Sequence, residues 1–231
     1  MAKHGKRYND VLKKAPTALV SLEEAVAFVK ANAGAKFDET VEVAMRLGVD
    51  IKKSDQTVRG TVTLPNGTGK TIRVVVFAAG THADEARAAE ADEVGYEDLI
   101  ERVKNGWTDF DVAISTTDAM KEVRKIARVL GPRGLMPNPK TGTVTDDVAA
   151  AVKAAKGGKV DFRMDRTGNV CVLCGKCSFD ADKLVENVNV VIAAVRAERP
   201  PAAKGTFIRS ITVSSTMGVG VRVQPKVEDP H

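Results

Sequence analysis

The sequence predicts a mixed α/β and α+β protein of two domains: a discontinuous α+β domain built from both termini, residues 1–67 and 159–231, and an α/β domain inserted at 68–158. Three observations predict it. The chain has 231 residues, long for one compact domain and comfortable for two. The two ends hold runs in which apolar and polar residues alternate, whereas the middle holds continuous apolar runs separated by helical periods. Charge divides in the same way. Residues 1–67 carry 11 Lys/Arg against 8 Asp/Glu, residues 159–231 again carry 11 against 8, and the middle carries 13 against 14. If the ends share a domain, that domain alone is basic, which favours polyanionic partners.

Composition narrows the class. Hydrophobic residues make up 43% of the chain, enough for real cores, but aromatics only 4%, so the cores are built mainly from Val, Ala, Ile and Leu. The start, Met1-Ala2-Lys3-His4-Gly5-Lys6-Arg7, is basic, and Asp10, Lys13 and Lys14 interrupt any apolar run after it. A secretory signal is therefore not expected. Nor does any stretch approach the roughly 18–20 apolar residues of a membrane helix. Three cysteines, all within 171–177, are odd in number and too crowded for a disulfide framework, so a cytoplasmic location is expected.

In the first terminal segment, Ser21-Leu22-Glu23-Glu24 has the form of a capping box and opens a helix with Ala25, Val26 and Val29 on one face. Val41, Val43, Met45, Leu47 and Val49 then alternate with Glu42, Ala44, Arg46 and Gly48, the pattern of a half-buried strand. Thr61 to Leu64 reads as its partner, ending at Pro65-Asn66-Gly67.

The middle opens on Val74-Val75-Val76-Phe77-Ala78-Ala79, a strand covered on both faces. Helical periods follow at 82–92 and at Leu99, Ile100 and Val103, and a second buried strand at Phe110 to Ile114. Met120, Val123, Ile126, Ala127 and Leu130 recur at helical spacing until Gly131-Pro132, and another helix runs from Asp146 to Lys156. Alternating strands and helices predict a parallel sheet. Past Gly158, Lys159 to Arg166 and Asn169 to Cys177 flank Thr167-Gly168 as an expected hairpin. A long helix at Ala181 to Arg199 turns Leu184, Val188, Val191, Ile192 and Val195 inward. Strands are expected at Phe207 to Ser214 and Gly218 to Val223.

No catalytic constellation emerges, and no enzyme, cofactor or metal is expected. Gly67-Thr68-Gly69-Lys70-Thr71 looks like the tail of a phosphate loop, but the position that must be glycine is Leu64, and Ile72 to Phe77 reads as strand where a helix is required. Cys171, Cys174 and Cys177 have metal-site spacing. On a strand, however, Cys171 and Cys177 face one side and Cys174 the other, and His4, His82 and His231 are distant in sequence. Packed thiols are the simpler reading. Asp146-Asp147 are expected in a helix's first turn. The loop Gly131-Pro132-Arg133-Gly134-Leu135-Met136-Pro137-Asn138-Pro139-Lys140 has two readings: a self-packed Ω-type loop, or a second nucleic-acid contact.

Two clusters lie in the basic domain. Lys36-Phe37-Asp38-Glu39-Thr40 precedes a strand, and Ser214-Ser215-Thr216-Met217-Gly218 follows one. Small hydroxyl residues with Gly let backbone approach RNA closely, and Ser/Thr bond phosphates or 2′-hydroxyls. Taken alone, each is more often ordinary: Phe37 a core aromatic and Ser214 to Gly218 a polar turn.

Four segments in order resemble bacterial members of the ribosomal protein L1 family, the large-subunit stalk family: 36–40, 131–143, Gly175-Lys176-Cys177-Ser178-Phe179, and Lys204-Gly205 through Ser215-Thr216-Met217-Gly218. The resemblance spans nearly the whole chain, and its strongest segment is the loop at 131–143. It implies that the inserted domain is Rossmann-like and that the termini-built domain carries the main site for large-subunit (23S) rRNA. It also implies a mobile stalk on the large ribosomal subunit that helps deacylated tRNA leave the exit (E) site, and repression of the chain's own operon mRNA. Membrane and small-molecule partners are not implied. Carried over by motif, Phe37, Glu39, Thr40, Thr216, Met217 and Gly218 form the rRNA-contacting cluster, with Lys36, Arg163, Lys176, Ser178 and Ser215 beside it. Val219 stands where the family often has Pro, and the cysteines replace apolar residues. A nucleotide-dependent enzyme is the alternative for the α/β domain, against which stand the missing phosphate loop and the acidic excess. A repressor acting outside the ribosome shares every residue cited, and co-sedimentation with large subunits tells it apart.

Overall fold

The structure, a computed structural model, describes residues 4–225 and all their side chains except those of Ser54 and Lys140. Met1-Ala2-Lys3 of the basic start and residues 226–231, His231 among them, lie outside the described residues. The chain divides into two compact units, one formed by residues up to Gly69 and from Val160 onward, the other by Lys70–Lys159.

In the first unit, strand β1 (Thr40–Leu47) is central. It pairs antiparallel on one side with β7 (Asn169–Lys176) and on the other with β8 (Ile208–Ser215), and β9 (Val221–Val223) extends the sheet. Sequence-distant segments thus share one sheet. Val41, Val43, Met45 and Leu47 of β1 are buried on the face covered by α2 (Leu22–Ala31) and α8 (Ala181–Ala197). The capping box forms: Glu24 N–H donates to Ser21 Oγ at 3.2 Å, and Ser21 N–H to the Glu24 carboxylate at 3.2 Å. Leu184, Val188, Val191 and Val195 of α8 are fully buried. A short helix, α1 (Lys6–Lys14), buries none of its residues, which is why no apolar period announces it.

Three expectations for this unit are corrected. β2 (Arg59–Thr63) is not the partner of β1; it pairs with β6 (Lys159–Arg163) in a separate two-stranded sheet, because β1 already has β7 and β8 on its two edges. For the same reason β6 and β7 do not form a hairpin: the Met164 N–H continues toward the Val58 carbonyl at 2.9 Å, while Asp165 ties the turn to Thr167 and Asn169. Cys171 and Cys177 do not share a face. The register of β1 against β7 shifts between Val41 and Glu42, a bulge that inserts one residue and inverts the alternation beyond it. Cys171 is exposed, Cys174 buried and Cys177 half-buried against the core. Gly175, at φ +149°, sits at the bulge, where a Cβ would lie 3.0 Å from Leu184. Burial pushes the Cys174 thiol up to about 12. Among the described residues no group of three or more His, Cys, Asp and Glu could hold a metal ion.

The second unit is a parallel sheet, β4 (Glu93–Gly95), β3 (Val74–Phe77) and β5 (Val112–Ser115), in the order β4-β3-β5. All four residues of β3 are buried. Val74 and Val76 pack with Ala86 of α3 (Thr81–Ala88) and with Val148 and Val152 of α7 (Val148–Lys156). Val75 and Phe77 pack with Leu99 and Val103 of α4 (Glu97–Lys104), Val123 of α5 (Met120–Val123) and Leu130 of α6 (Ala127–Leu130). Helices on both faces explain the unbroken apolar run. Three residues of half-buried edge strand were too short a signal for β4. The expected helix at 120–130 is interrupted by a 3₁₀ turn, Arg124–Ile126, between α5 and α6. Asp146 and Asp147 do not lie in a first turn. Asp147 is the N-cap of α7, accepting from Ala150 N–H at 3.1 Å, and Asp146 accepts from the Thr117 N–H and hydroxyl. The loop at 131–143 folds on itself through Asn138 and Thr143, with Leu135 and Met136 half-buried against the unit's own core.

Asn187 of α8, fully buried, joins three parts of the first unit. Its Nδ2 donates to the carbonyls of Cys174, at 2.7 Å beside the bulge, and of Gly67, at 3.1 Å, while its Oδ1 accepts from the Asn66 N–H at 3.2 Å. Asn187→Ala strands these groups and is expected to cost about 1–3 kcal/mol, read as a lower midpoint in urea unfolding.

Candidate nucleic-acid interface

Three neighbouring strands end together at one edge of the four-stranded sheet. The start of β1 faces the ends of β7 and β8, with Thr40 opposite Lys176 and Val41 opposite Ser215. This register brings 36–40, 176–178 and 214–218 into one cluster although its extremes are 182 positions apart in the chain.

The cluster is built around Glu39, which is only 2% exposed. One carboxylate oxygen accepts from Ser215 Oγ at 2.7 Å and from the Met217 N–H at 3.0 Å, and the other from the Ala35 N–H at 2.9 Å. Burial raises the Glu39 pKa, but the bonds from Ser215, Met217 and Ala35 and the charge of Arg7 outweigh it, so the group titrates below its usual value of 4.5. The negative charge is thereby absorbed internally. Gly218 donates its N–H to the Ser215 carbonyl at 3.1 Å, and a Cβ there would sit 2.3 Å from Ser215 Oγ, so only glycine lets the turn close over that hydroxyl.

Above this anchor, Thr40 and Thr216 are locked together. The Thr40 N–H donates to Thr216 Oγ1 at 2.9 Å, the Thr216 N–H to the Thr40 carbonyl at 3.0 Å, and the Thr216 hydroxyl back to the same carbonyl at 3.3 Å. Lys176 Nζ donates to Thr40 Oγ1 at 2.9 Å and to the Asp38 carbonyl at 3.4 Å. Thr40 Oγ1 therefore serves as an acceptor toward Lys176, and its own proton points to no acceptor among the described residues. Asp38 holds Ser178 through both its hydroxyl, at 2.7 Å, and its N–H, at 3.1 Å. Flanking the locked pair, Phe37 is 55% exposed and Met217 54%, and Lys36 is exposed beside Phe37.

The expected site residues thus divide. Lys36, Phe37, Thr40, Lys176, Ser178, Thr216, Met217 and Gly218 meet at one edge and reach the surface. Glu39 and Ser215 also belong to the cluster, but they are buried and hold it together instead of facing outward. Arg163 does not join it: it is exposed on β6, in the other sheet. Two positioning residues were missed. Asp38 stood inside a noted segment but has its partner 140 residues away, and Lys30 donates to the Phe179 carbonyl. No local sequence signal marks either pairing.

The class of protein follows from comparison with a family model. The model described as the ribosomal protein L1p/L10e family matches residues 29–219, which include the whole cluster, and the chain belongs to that family. Among its relatives, the large ribosomal subunit protein uL1 of Mycobacteroides abscessus is 54% identical over 228 residues, covering 98% of this chain and 97% of that protein. The proteins of the same name from Streptococcus pyogenes and Streptococcus sanguinis are each 54% identical, over 97% and 96% of this chain and 99% and 98% of their own lengths.

Because the folded pKa of Glu39 lies below the unfolded one, its contribution is complete above about 4.5 and is lost as pH falls through the folded value. Glu39→Gln is expected to cost about 2 kcal/mol near neutrality and to lose less stability than the parent on further acidification. Thermal melts across that range check both; parallel acid curves would contradict the assigned role.

Proposed function

We propose that this chain binds large-subunit (23S) rRNA directly through the edge cluster of its basic unit. It belongs to the ribosomal protein L1p/L10e family and is a structural constituent of the large ribosomal subunit in the cytoplasm, not an enzyme. The finer reading is that the bound protein forms a mobile stalk that assists release of deacylated tRNA from the E site. When free protein exceeds the rRNA available to it, the same surface represses the chain's own operon mRNA.

The observation that carries the proposal is the pair of half-exposed apolar side chains, Phe37 and Met217, carried by the segments that meet at the hydrogen-bonded Thr40–Thr216 strand ends. An exposed aromatic and a thioether on an anchored backbone give apolar contact to riboses or unstacked bases. The free proton of Thr40 Oγ1 suits a phosphate oxygen or a 2′-hydroxyl. Lys176 is already directed across the same edge by Thr40, and with Lys36 it supplies positive charge for phosphates. RNA is read here by shape, because rigid, backbone-fixed donors match one arrangement of sugars and phosphates. Arg163 contributes at most through the general field of the unit, since it lies on another sheet.

Thr40→Val removes the outward proton and the acceptor for Lys176, and Met217→Ala removes the apolar contact. Each is expected to weaken binding to a 23S rRNA junction fragment by about 1–3 kcal/mol in filter-binding titrations, with the melting temperature little changed for Met217→Ala. Parent-like affinity in both variants would remove the cluster from the RNA site.

A further inference from the structure

We propose that a basic ridge on the second unit, formed by Lys121, Arg124, Lys125, Arg128 and Arg133, is a second RNA surface, sequence-independent, that takes the sugar–phosphate backbone of a duplex. It goes beyond the reading above, which places the rRNA site on the first unit.

The ridge follows from spacing. Positions 121, 124 and 125, and 128 stand at i, i+3/i+4 and i+7 and share one face of the α5–3₁₀–α6 segment, while Val123, Ile126 and Leu130 face the core. Lys121, Arg124, Lys125 and Arg128 are exposed, and Arg133 follows, also exposed, in the loop beyond, donating to Thr108 Oγ1. At about 1.5 Å per residue the helical part is roughly 10 Å long, enough to meet about three phosphates of a backbone.

The pairing pattern distinguishes this ridge from the rest of its unit. Elsewhere most surface cations are matched to carboxylates: Lys70 to Asp111 at 2.5 Å, Arg73 to Asp109, Arg87 to Asp84 at 2.8 Å, Arg102 to Glu93 at 3.1 Å, and Lys156 to Asp92 at 3.6 Å. Among the described residues Lys104 and Lys153 are also exposed without a carboxylate partner, but neither has another such cation three or four positions away. On the ridge Lys125 alone has such a partner, Glu122 at 2.6 Å. Among the described residues no carboxylate pairs with Lys121, Arg124 or Arg128. Like charges at i,i+3 and i,i+4 repel, so the unit, with 14 Lys/Arg against 14 Asp/Glu overall, concentrates uncompensated positive charge where folding gains nothing from it. A polyanion removes the repulsion.

The absence of apolar anchors selects the kind of polyanion. The exposed large hydrophobic residues of the described chain are Leu12, Leu19, Phe37, Ile51, Leu173 and Met217, all in the first unit. A membrane-surface element needs an exposed apolar face, and a protein interface needs a buried aromatic or aliphatic centre. The ridge has only charge, which matches backbone-directed nucleic-acid binding.

The test uses the full chain and the K121Q/R124Q/R128Q variant, with K104Q/K153Q as a control for lost exposed charge on the same unit. The probes are a short RNA duplex of arbitrary sequence, a 23S rRNA junction fragment, and vesicles of anionic phospholipid, each titrated over a range of salt. The triple variant is expected to lose at least about tenfold in duplex affinity, and its log–log salt slope should flatten by about 3, near 0.9 per phosphate. Junction affinity should stay at the parent value and the control should bind duplex as the parent does. Unchanged duplex binding by the triple variant, an equal loss in the control, or an equal loss toward the junction would overturn the proposal. So would parent binding to vesicles that the triple variant loses in the same measure. Failure of the rRNA reading shows separately, through Thr40→Val and Met217→Ala on the junction alone.

Discussion

The carboxylate of Glu39 is the point on which the edge of the sheet depends. It lies under the surface, at the junction of three segments that are remote in sequence, and accepts hydrogen bonds from Ala35, Ser215 and Met217. A buried charge is costly unless it is fully paired, and here the donors are two backbone amides and a hydroxyl, none of which brings a compensating charge to the surface. Holding the amide of Met217 fixes the turn that exposes its side chain. Fixing Ala35 likewise sets the path of the chain into Phe37. The outward features are exposed because the inward carboxylate leaves their backbone no alternative.

The two units solve different problems with similar aliphatic cores. The first spends one face of its antiparallel sheet on α2 and α8 and leaves the strand ends free to present side chains. The bulge beside Gly175, tied by Asn187, lets the end of β7 bring Lys176 next to Thr40. The second unit covers both faces of a parallel sheet with helices, so its chemistry is confined to what the helices and loops carry outward, and there it is charge alone. One surface is organised by buried hydrogen bonds and apolar contact, the other by unpaired cations.

Much of this was legible in the sequence where a periodic pattern meets one packing surface. The alternation from Val41 to Leu47, the apolar run at Val74 to Phe77 and the 3.6-residue period of α8 each encode their own burial. The pairing of strands was not legible. Thr61 to Leu64 looks like a neighbour of β1 on sequence distance, yet β1 has two edges and longer strands occupy both. The bulge was hidden for a related reason, since a single inserted residue leaves no mark in composition but inverts the faces of everything beyond it, Cys177 included. In the cluster, side-chain type alone left Phe37 as a core aromatic and 214–218 as a polar turn, and it was the family resemblance that grouped Phe37, Thr40 and Met217. Type did not separate Glu39 and Ser215 from them, because burial at a three-segment junction is decided by partners 176 or more positions away.

Phe37 and Met217, brought to one edge by the Glu39 anchor, are the side chains proposed to face RNA. Hydroxyl-radical oxidation of the full chain, free and bound to a 23S rRNA junction fragment, reads this directly by mass spectrometry at individual side chains. Phe37 and Met217 are expected to lose most of their reactivity in the complex, while Leu12, Leu19 and Ile51, comparably exposed in the same unit, keep theirs. Undiminished oxidation of both Phe37 and Met217 in a saturated complex would contradict it.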